Sequence, residues 1–548
     1  MNAIEPLESR IAPATLTGHI LQYTDLDGES IRVTINTNGA LTAANFTFDT
    51  AFDSTGPQRL QLIDLRSSVS RDYDGASISA QVSGSGGDGE VTIERIDATG
   101  NDLRTVTIPG GLDQLLCGDN DAALALKKLS VTTFGVTTPS NGMPSVISGS
   151  VGSFTVSDVL KNVGVFIAGN AETIDVGGLL AASDLAETGF IKVTGGVKKL
   201  HVGGDGIHGG DVGISGVDIL GALTTGVVDG GIFGGGGFES ALFFANSVGK
   251  LTIMGDVQGG AGESSALVSF NGNAKSIQVG GSIVGGTSPS ATNSGQIFVG
   301  GKLKSINVDG SVIGGAGTFS GYIDSEGALG RVHIAGNLTG GSGQESGVIF
   351  SDSKMKNIEI VGNLVAGNGQ QAGYIDCNSS IKKVTIGGDM TGTAGHPAWI
   401  VAPGPMAGGV AIKKVSIGGD ATFANIWAGY DDLAVESDGA SIGTVKVIGN
   451  VVATNIVASV RDLNGNGFGD DGDNLVPAAR IPTIAKIIIG GTVDGTLVDD
   501  GFYGFTAGLI KKISINGSAV PLTAAKDDIA VPGSTTNDYR IHEIQALI

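Results

Sequence analysis

The chain of 548 residues carries 54 Asp and Glu residues against 32 Lys and Arg residues, so its formal net charge is −22. Such an acidic balance argues against a nucleic-acid partner, because phosphate binding requires a basic surface. Glycine supplies 93 residues and charged residues only 16 %, while hydrophobic residues reach 41 %. This composition excludes a disordered chain and favours tightly wound β-structure with frequent glycine turns.

Residues 15–110 have an irregular β-type pattern. Two β-type runs flank Asp27-Gly28, which is a strong hairpin signal. We predict a small β-rich cap domain that covers the open end of a repeat array, or alternatively forms its first irregular coils. Asp25, Asp27 and Glu29 in this turn offer three carboxylates to calcium, but a simple hairpin turn is the favoured interpretation.

Residues 111–172 contain degenerate copies of a unit that becomes regular over residues 173–520. Each unit is anchored on a glycine, and the anchors are separated by 26, 29, 26, 26, 26, 31, 30, 42 and 26 residues. The anchors are Gly255, Gly281, Gly310, Gly336, Gly362, Gly388, Gly419, Gly449, Gly491 and Gly517. A fixed period of about 20–50 residues indicates a stacked repeat architecture.

Two aliphatic ladders follow this period. The residues four and two positions before every anchor are aliphatic, and the residue between them is variable, as expected of a half-buried strand. A second ladder in phase with the first consists of Val268, Ile297, Ile323, Ile349, Ile375, Ile400 and Ile426. We therefore predict an all-β fold, a right-handed parallel β-helix with about 26 residues per coil.

A small polar residue follows each anchor glycine, for example Asp256, Ser282 and Asn337. Short polar side chains at turns bond to nearby backbone groups. We therefore predict that each of these side chains contacts the backbone or its counterpart one coil away.

The longest insertion in the array contains a calcium-loop pattern at residues 462–474. Oxygen-bearing side chains occupy loop positions 1, 3, 5, 9 and 12, glycine occupies position 6, and position 7 would donate its main-chain carbonyl. Aspartate at position 12 resembles dockerin-type loops more than helix-flanked sensors. The alternative is a flexible loop rich in Asn, Gly and Asp. The predicted ligands of a structural calcium ion are Asp462, Asn464, Asn466, Phe468, Asp470 and Asp473.

No catalytic constellation and no further cofactor-binding residue stands out, and we predict that the protein is not an enzyme. The histidines lack metal-ligand spacing, and Cys117 and Cys377 are predicted to be free rather than part of a disulfide framework. Asp324 and Asp376 fall two coils apart, near the upper limit for an inverting carboxylate pair. Surface acids beside a strand are the favoured interpretation of these two residues.

The segment Pro6–Ala14 reads PLESRIAPA and resembles the N-terminal tag of large exported proteins of Verrucomicrobia. It is a looser relative of the LEPR-type tag of planctomycetes, from which it departs at Ser9 and in lacking the leucines that follow. Residues 23–29 and 86–103 also resemble recurring segments of that group. The resemblance implies an exported or cell-surface protein with residues 1–14 as its tag, and it implies no activity.

Two functional hypotheses remain open at this point. The first is a non-enzymatic exported structural or cell-surface protein, such as an envelope layer, filament subunit or adhesin-like rod, with possible self-association. The second is a polysaccharide-binding or polysaccharide-cleaving β-helix that contacts a cell-surface glycan. In the second hypothesis, aromatic residues beside the second ladder would form a stripe on which sugar rings stack. The alternative is that these residues pack in the core or the turns; they are Tyr322, Tyr374, Trp399 and Trp427.

Residues 521–548 lose the repeat and are predicted to form a C-terminal cap or tail. No transmembrane helix is predicted.

Overall fold

In the computed structural model of the protein, the described residues form an all-β solenoid of parallel strands with about 15 turns and about 26 residues per coil. This confirms the predicted fold class, whereas the right-handed sense and the N-terminal cap stay predictions. A single 3-10 turn, Ala43–Asn45, interrupts the β-structure of the described chain. The described ranges are 13–52, 56–66, 72–84, 86–121, 124–136, 143–178, 180–181, 189–404, 409–431, 434–435, 439–475, 480–496, 501–523 and 525–544. Most of the predicted tag, and residues 524 and 545–548 of the predicted C-terminal segment, lie outside them.

The chain forms two compact units, residues 1–232 with 240–249 and residues 233–239 with 250–548. In both units a regular coil contains three strands, which belong to three ladders. Ladder A holds the strands that precede the anchor glycines, and ladder C holds the strands of the second predicted ladder. Ladder B consists of short strands that directly follow the anchors, and the sequence analysis did not predict it.

The first unit begins with antiparallel pairing and changes to parallel coils. The hairpin predicted around Asp27-Gly28 is confirmed, since Ile20–Thr24 pairs antiparallel with Ser30–Asn36. Further antiparallel partners are Thr15–Thr17 with Ile20–Thr24, Ser30–Asn36 with Ala76–Ser83, and Phe46–Phe48 with Leu60–Asp64. Parallel pairing already occurs inside residues 15–110, where Leu60–Asp64 lies beside Ile93–Thr99. This segment therefore combines an antiparallel meander with the first coils.

The remaining strands of the first unit stack in parallel. Ladder A runs through Ala76–Ser83, Leu103–Gly118, Leu124–Phe134, Ser150–Val156, Ala171–Val176, Val197–Val202 and Gly216–Val228. Ladder C runs through Leu60–Asp64, Ile93–Thr99, Leu103–Gly118, Ser145–Ile147, Gly164–Ile167, Phe190–Val193 and Gly216–Val228. Ladder B holds Leu160–Lys161, Leu180–Ala181 and Gly206–His208. The strands Gly231–Phe233 and Leu242–Ile253 each contain a point where the chain passes from one unit to the other.

The second unit contains the regular repeats. Ladder A consists of Ala274–Val279, Leu303–Val308, Leu329–Ile334, Met355–Ile360, Val384–Ile386, Gly409–Ile417, Ala440–Val447, Thr483–Ile489, Leu509–Ile510 and Ile513–Ile515. Ladder B consists of Val257–Gln258, Ile283–Val284, Val312–Ile313, Leu338–Thr339, Leu364–Val365, Met390–Thr391, Ala421–Thr422, Val451–Val452 and Val493–Asp494. Ladder C consists of Leu267–Phe270, Gln296–Val299, Tyr322–Ser325, Ile349–Ser351, Tyr374–Cys377, Ala398–Ala402, Ala424–Ala428, Asn455–Ala458, Tyr503–Ala507 and Tyr539–Glu543.

The core of the second unit consists of like residues stacked on like residues. Ile277, Ile306 and Val332 are successive partners in ladder A, and each is almost fully buried. Both predicted aliphatic ladders are confirmed by this register. Ladder B adds a third buried column, in which Ile283 pairs with Val312 and Val312 with Leu338. Burial of these three columns supplies the main stabilisation of each coil.

The small polar residues after the anchors form a hydrogen-bonded column. The side-chain oxygen of Asn337 accepts the backbone N–H of Asn363, and that of Asn363 accepts the N–H of Asp389, both at 2.8 Å. The same contact joins successive members of the series Asp256, Ser282, Ser311, Asn337, Asn363, Asp389, Asp420, Asn450 and Thr492. The predicted inter-coil contact is confirmed for this series, and it satisfies one turn amide at each step from Asp256 to Thr492.

The last strands of the second unit include antiparallel partners. Tyr539–Glu543 pairs with Asp528–Ala530, and Ile513–Ile515 pairs with Ser518–Ala519. Antiparallel partners of this kind use hydrogen-bonding groups that a terminal strand would otherwise expose. The role of residues 521–548 as a cap or tail stays a prediction. Both cysteines are free and buried, as predicted. None of the helices in the described chain is long and apolar enough to cross a membrane.

Candidate functional site

The predicted calcium loop is a hairpin that joins a ladder C strand to a ladder A strand. It leaves the solenoid after Asn455–Ala458 and returns to it at Thr483–Ile489. Its two arms, Val460–Asp462 and Asp473–Leu475, pair antiparallel and bring Asp462 opposite Asp473. The first and last predicted ligands therefore face each other where the two arms of the hairpin meet the loop.

The Asp462 carboxylate shapes the first half of this loop. It accepts the backbone N–H groups of Asn464, Gly465 and Gly467 at 3.2, 2.7 and 2.7 Å. Gly467, the predicted turn glycine, has a φ of 101°, and Gly465 and Gly469 also have positive φ. Side chains would be strained in these conformations, so the glycines permit the tight turn that the motif requires.

The Asp470 carboxylate organises the second half. It accepts the side-chain amides of Asn464 and Asn466 at 3.0 and 2.9 Å, and the backbone N–H of Gly472 at 2.7 Å. Burial tends to raise the pKa of Asp470, but the hydrogen bonds from the two amides and from Gly472 leave it lowered. These hydrogen bonds thus hold three predicted ligands, Asn464, Asn466 and Asp470, close together.

Asp473 is the buried carboxylate among the predicted ligands, at 7 % exposure. One of its oxygens accepts the backbone N–H of Gly469 at 2.6 Å, and burial raises the pKa of its carboxyl to about 7. Its other oxygen, Oδ1, and the Oδ1 of Asn466 are buried without a hydrogen-bond partner. Unpaired buried oxygens are costly, and calcium prefers oxygen ligands of this kind. The oxygen donors are of the kind that calcium prefers, but the carboxylates of Asp462, Asp470 and Asp473 do not lie within 4.8 Å of one another; in the described part of the chain only Asp25, Asp27 and Glu29 form such a group. The Phe468 carbonyl lies against Gly504, where an added Cβ would approach it to 2.8 Å.

The side chain of Phe468 holds the loop on the outer face of ladder C. It is 5 % exposed, and its ring lies 5.2 Å from the ring of Trp427. Trp427 also contacts Tyr430 at 4.6 Å and Trp399 at 4.1 Å between ring centroids. The Tyr430 hydroxyl donates a hydrogen bond to the carbonyl of Val460 at the base of the loop. The calcium-loop pattern predicts a role only for the main-chain carbonyl of Phe468, and the packing of its ring was not predicted.

Three of the four aromatic residues predicted for a stacking stripe are largely buried. Tyr322, Tyr374 and Trp399 are 3, 6 and 6 % exposed and belong to one cluster with Phe468. The structure therefore favours packing for these three side chains, whereas Trp427 is half-buried beneath the loop. Half-buried aromatic rings occur elsewhere on the same face, at Phe298, Phe319 and Phe350.

These three rings line an open cavity of about 460 Å³ together with acidic side chains. Asp324, Phe350 and Asp376 are successive partners in ladder C, so the two carboxylates flank one aromatic ring. Burial raises the pKa of Asp324 to about 7, and the charges of Asp352 and Glu326 act in the same direction. The two aspartates singled out in the sequence therefore line the same cavity.

The hairpin turn of the first unit collects a separate group of carboxylates. Ligand atoms of Asp25, Asp27 and Glu29 all lie within 4.8 Å of one another, and Glu29 is 3 % exposed. Glu29 accepts the backbone N–H of Gly89 at 2.9 Å. Burial and a hydrogen bond with Asp27 raise the pKa of Asp25 to about 6. Hydrogen bonds to the backbone and between the side chains already engage these carboxylates, in agreement with the hairpin interpretation.

No protein-family model matches the chain, and no curated protein and no solved structure matches it either. Functional assignment therefore depends on the geometry of the sites described above.

Proposed function

We propose that the protein is a non-enzymatic, exported structural component of a cell surface, in which the solenoid acts as a stiff scaffold. The observation that supports this most strongly is the hydrogen-bonded column from Asp256 to Thr492, which repeats in coil after coil of the second unit. A contact repeated in successive coils contributes to the rigidity of this part of the second unit, because each repeat is stabilised by its neighbours. A single active site would not require such regularity.

We further propose that the loop of residues 462–473 binds a structural calcium ion through the predicted ligands. The ion would supply positive charge to Asp462, Asp470 and Asp473, and it would pair the buried oxygens of Asp473 and Asn466. The role of these residues is to hold the loop closed over Trp427. Calcium is abundant outside cells, which agrees with an exported scaffold.

Electron microscopy of the purified full chain, with calcium and with chelator, tests the structural role. Ordered arrays, fibres or sheets that form with calcium are the expected result. Particles that remain monomeric at all concentrations and depolymerise a glycan would contradict it.

The open cavity on ladder C favours a second candidate function, which is binding of a glycan. Half-buried aromatic rings stack on sugar rings, and the side chains of Asn293, Gln296 and Asn378 at the cavity offer hydrogen bonds to hydroxyl groups. Retention of the protein on immobilised polysaccharides, compared with the same protein carrying Phe350→Ala, tests this candidate.

A further inference from the structure

One wall of the ladder C cavity is built from residues in an unusual backbone conformation. Asn293, Phe319 and Glu345 occupy the same turn position in successive coils and have φ values of 56, 54 and 50°. This left-handed region is unfavourable for side chains other than Gly, Asn and Asp, and especially for a bulky ring such as Phe319. The same conformation recurs at Ser264 and Gln371, which do not line this cavity, so it belongs to the repeat turn and fixes the direction in which each turn side chain leaves the backbone.

The floor of the cavity alternates aromatic and acidic side chains. Phe298, Asp324, Phe350 and Asp376 are consecutive partners across ladder C, so neighbours are about 4.8 Å apart. Glu345 adds a third carboxylate from the wall. Each aspartate thus lies next to at least one aromatic ring, and the ring of Phe350 lies between the two aspartates.

Among the described residues, the acidic side chains of the cavity lining have no basic counterparts in that lining. The lining, within the described ranges, includes Asp324, Glu345 and Asp376 but no Lys, Arg or His. In addition to burial, two further acidic residues, Asp352 and Glu326, raise the pKa of Asp324. Glu326 follows the strand that contains Asp324, and Asp352 follows the next strand of the ladder. The whole chain has a formal charge of −22. An anionic ligand such as a uronate or a sulfated sugar would be repelled, whereas a cation would be attracted.

We propose that this cavity binds a glycan carrying free amino groups, with a protonated amine seated between Asp324 and Asp376 over the ring of Phe350. The inference rests on the second candidate function and adds the chemical class of the sugar. An ammonium group gains from both carboxylates and from the face of an aromatic ring. The sugar rings pack on Phe298 and Phe319, and the amide side chains of the lining bind the hydroxyl groups.

Isothermal titration of the full chain with three oligosaccharides of equal length tests the proposal. The probes are a glucosamine oligomer, an N-acetylglucosamine oligomer and a galacturonate oligomer. The glucosamine oligomer is expected to bind roughly tenfold or more tightly than the acetylated oligomer, which corresponds to one charge-assisted contact of about 1.4 kcal/mol. The galacturonate oligomer is expected not to bind.

Matched variants locate the binding in the cavity. Asp324→Asn and Asp376→Asn keep the side-chain shape and are each expected to remove most of the preference for the amine. Asp309→Asn removes an equal charge from an exposed turn outside the cavity and is expected to bind like wild type. An unchanged preference in both cavity variants would overturn the assignment of the site.

The remaining outcomes separate this inference from glycan binding itself. Equal affinity for the two amino-sugar oligomers would overturn the amine inference and leave glycan binding standing. Absence of binding to all three probes would overturn both. Tighter binding of a lysine-rich peptide than of the glucosamine oligomer would also overturn the inference, in favour of a basic protein partner.

Discussion

The ring of Phe468 lies edge-on to the ring of Trp427, with 5.2 Å between their centroids. This contact joins the tip of an irregular loop to the regular face of ladder C. Trp427 and Trp399 are the two tryptophans of the chain, and their rings are 4.1 Å apart. Intrinsic fluorescence therefore reports on whether the loop is docked.

Replacement of Phe468 by alanine is expected to release the loop from ladder C. Loss of a buried phenylalanine ring costs about 3 kcal/mol or more, and Trp427 then becomes exposed to water. We expect tryptophan emission to shift to longer wavelength and acrylamide quenching to increase. Phe298→Ala, a change five strands away along the same face, serves as the control and should leave the emission unchanged. Unchanged emission in Phe468→Ala would show that the ring does not hold the loop.

Replacement of Asn363 by alanine is expected to weaken the hydrogen-bonded column at one coil. The change removes the acceptor of the Asp389 N–H, and an unpaired amide in a partly buried turn costs about 1 kcal/mol or more. Hydrogen exchange at the Asp389 amide should accelerate, and the urea midpoint should fall.

Two further substitutions make the Asn363 experiment specific. Asn363→Ser keeps a side-chain oxygen, as Ser311 does at the equivalent position of another coil, and should retain most of the protection. Asn357→Ala removes an outward side chain of the preceding ladder A strand and should have little effect. Equal acceleration in Asn363→Ser and Asn363→Ala would contradict a role for the acceptor.

His201 joins three coils of the first unit through its two ring nitrogens. They lie 2.7 Å from a carboxylate oxygen of Asp175 and 2.9 Å from one of Asp229. Burial tends to lower the pKa of His201, but the hydrogen bonds to these two carboxylates leave it raised. A raised histidine pKa adds stability that is fully present below the unfolded value, about 6.5, and is lost as the pH rises through the folded value.

We therefore expect an NMR titration of His201 to have its midpoint above about 6.5. Asp229→Asn should lower that midpoint and reduce the stability gained on acidification. Glu172→Gln, which removes a carboxylate paired with Lys198 near the same strand, should change the midpoint far less. A midpoint in Asp229→Asn equal to that of wild type would contradict the bridging role.

The raised pKa of Asp473 predicts that the effect of calcium on stability depends on pH. Burial raises its pKa to about 7, so the folded metal-free protein binds more protons than the unfolded chain between about pH 4 and pH 7. The contribution of Asp473 to stability in chelator is therefore lost as the pH rises through this window. Calcium should offset the loss, so its stabilising effect in thermal unfolding is expected to be larger at about pH 7.5 than at about pH 5. An equal effect at both values would contradict this linkage.

Ladders A and C could be predicted because each places aliphatic residues at a fixed distance from a glycine. Ladder B was missed because its strands contain only two or three residues and cannot show a period of two. A usable signal was present, since an apolar residue lies two positions after each anchor, as at Val257, Ile283 and Val312. Very short strands are thus recognised by comparing the same position in successive repeats, and not by the pattern of residues within one repeat.

The functional features were predictable to different degrees. Oxygen spacing located the loop of residues 462–473, because ligands contributed by one segment leave a local pattern. Its docking through Phe468 depends on residues from other coils, and local sequence does not record such contacts. The cavity wall could not be predicted from the sequence for another reason. Its residues Asn293, Phe319 and Glu345 share a backbone conformation but differ in side-chain chemistry, so no residue type repeats at this position.

Calcium titration of the metal-free full chain is the most direct test of the proposed loop site. We predict that calcium binds, that Asp473→Asn abolishes this binding, and that Asp471→Asn, a change at an exposed neighbour outside the ligand pattern, retains it. Calcium binding that persists in Asp473→Asn and disappears in Asp27→Asn would place the ion at the N-terminal hairpin and contradict the account, as would a wild-type chain that binds no calcium.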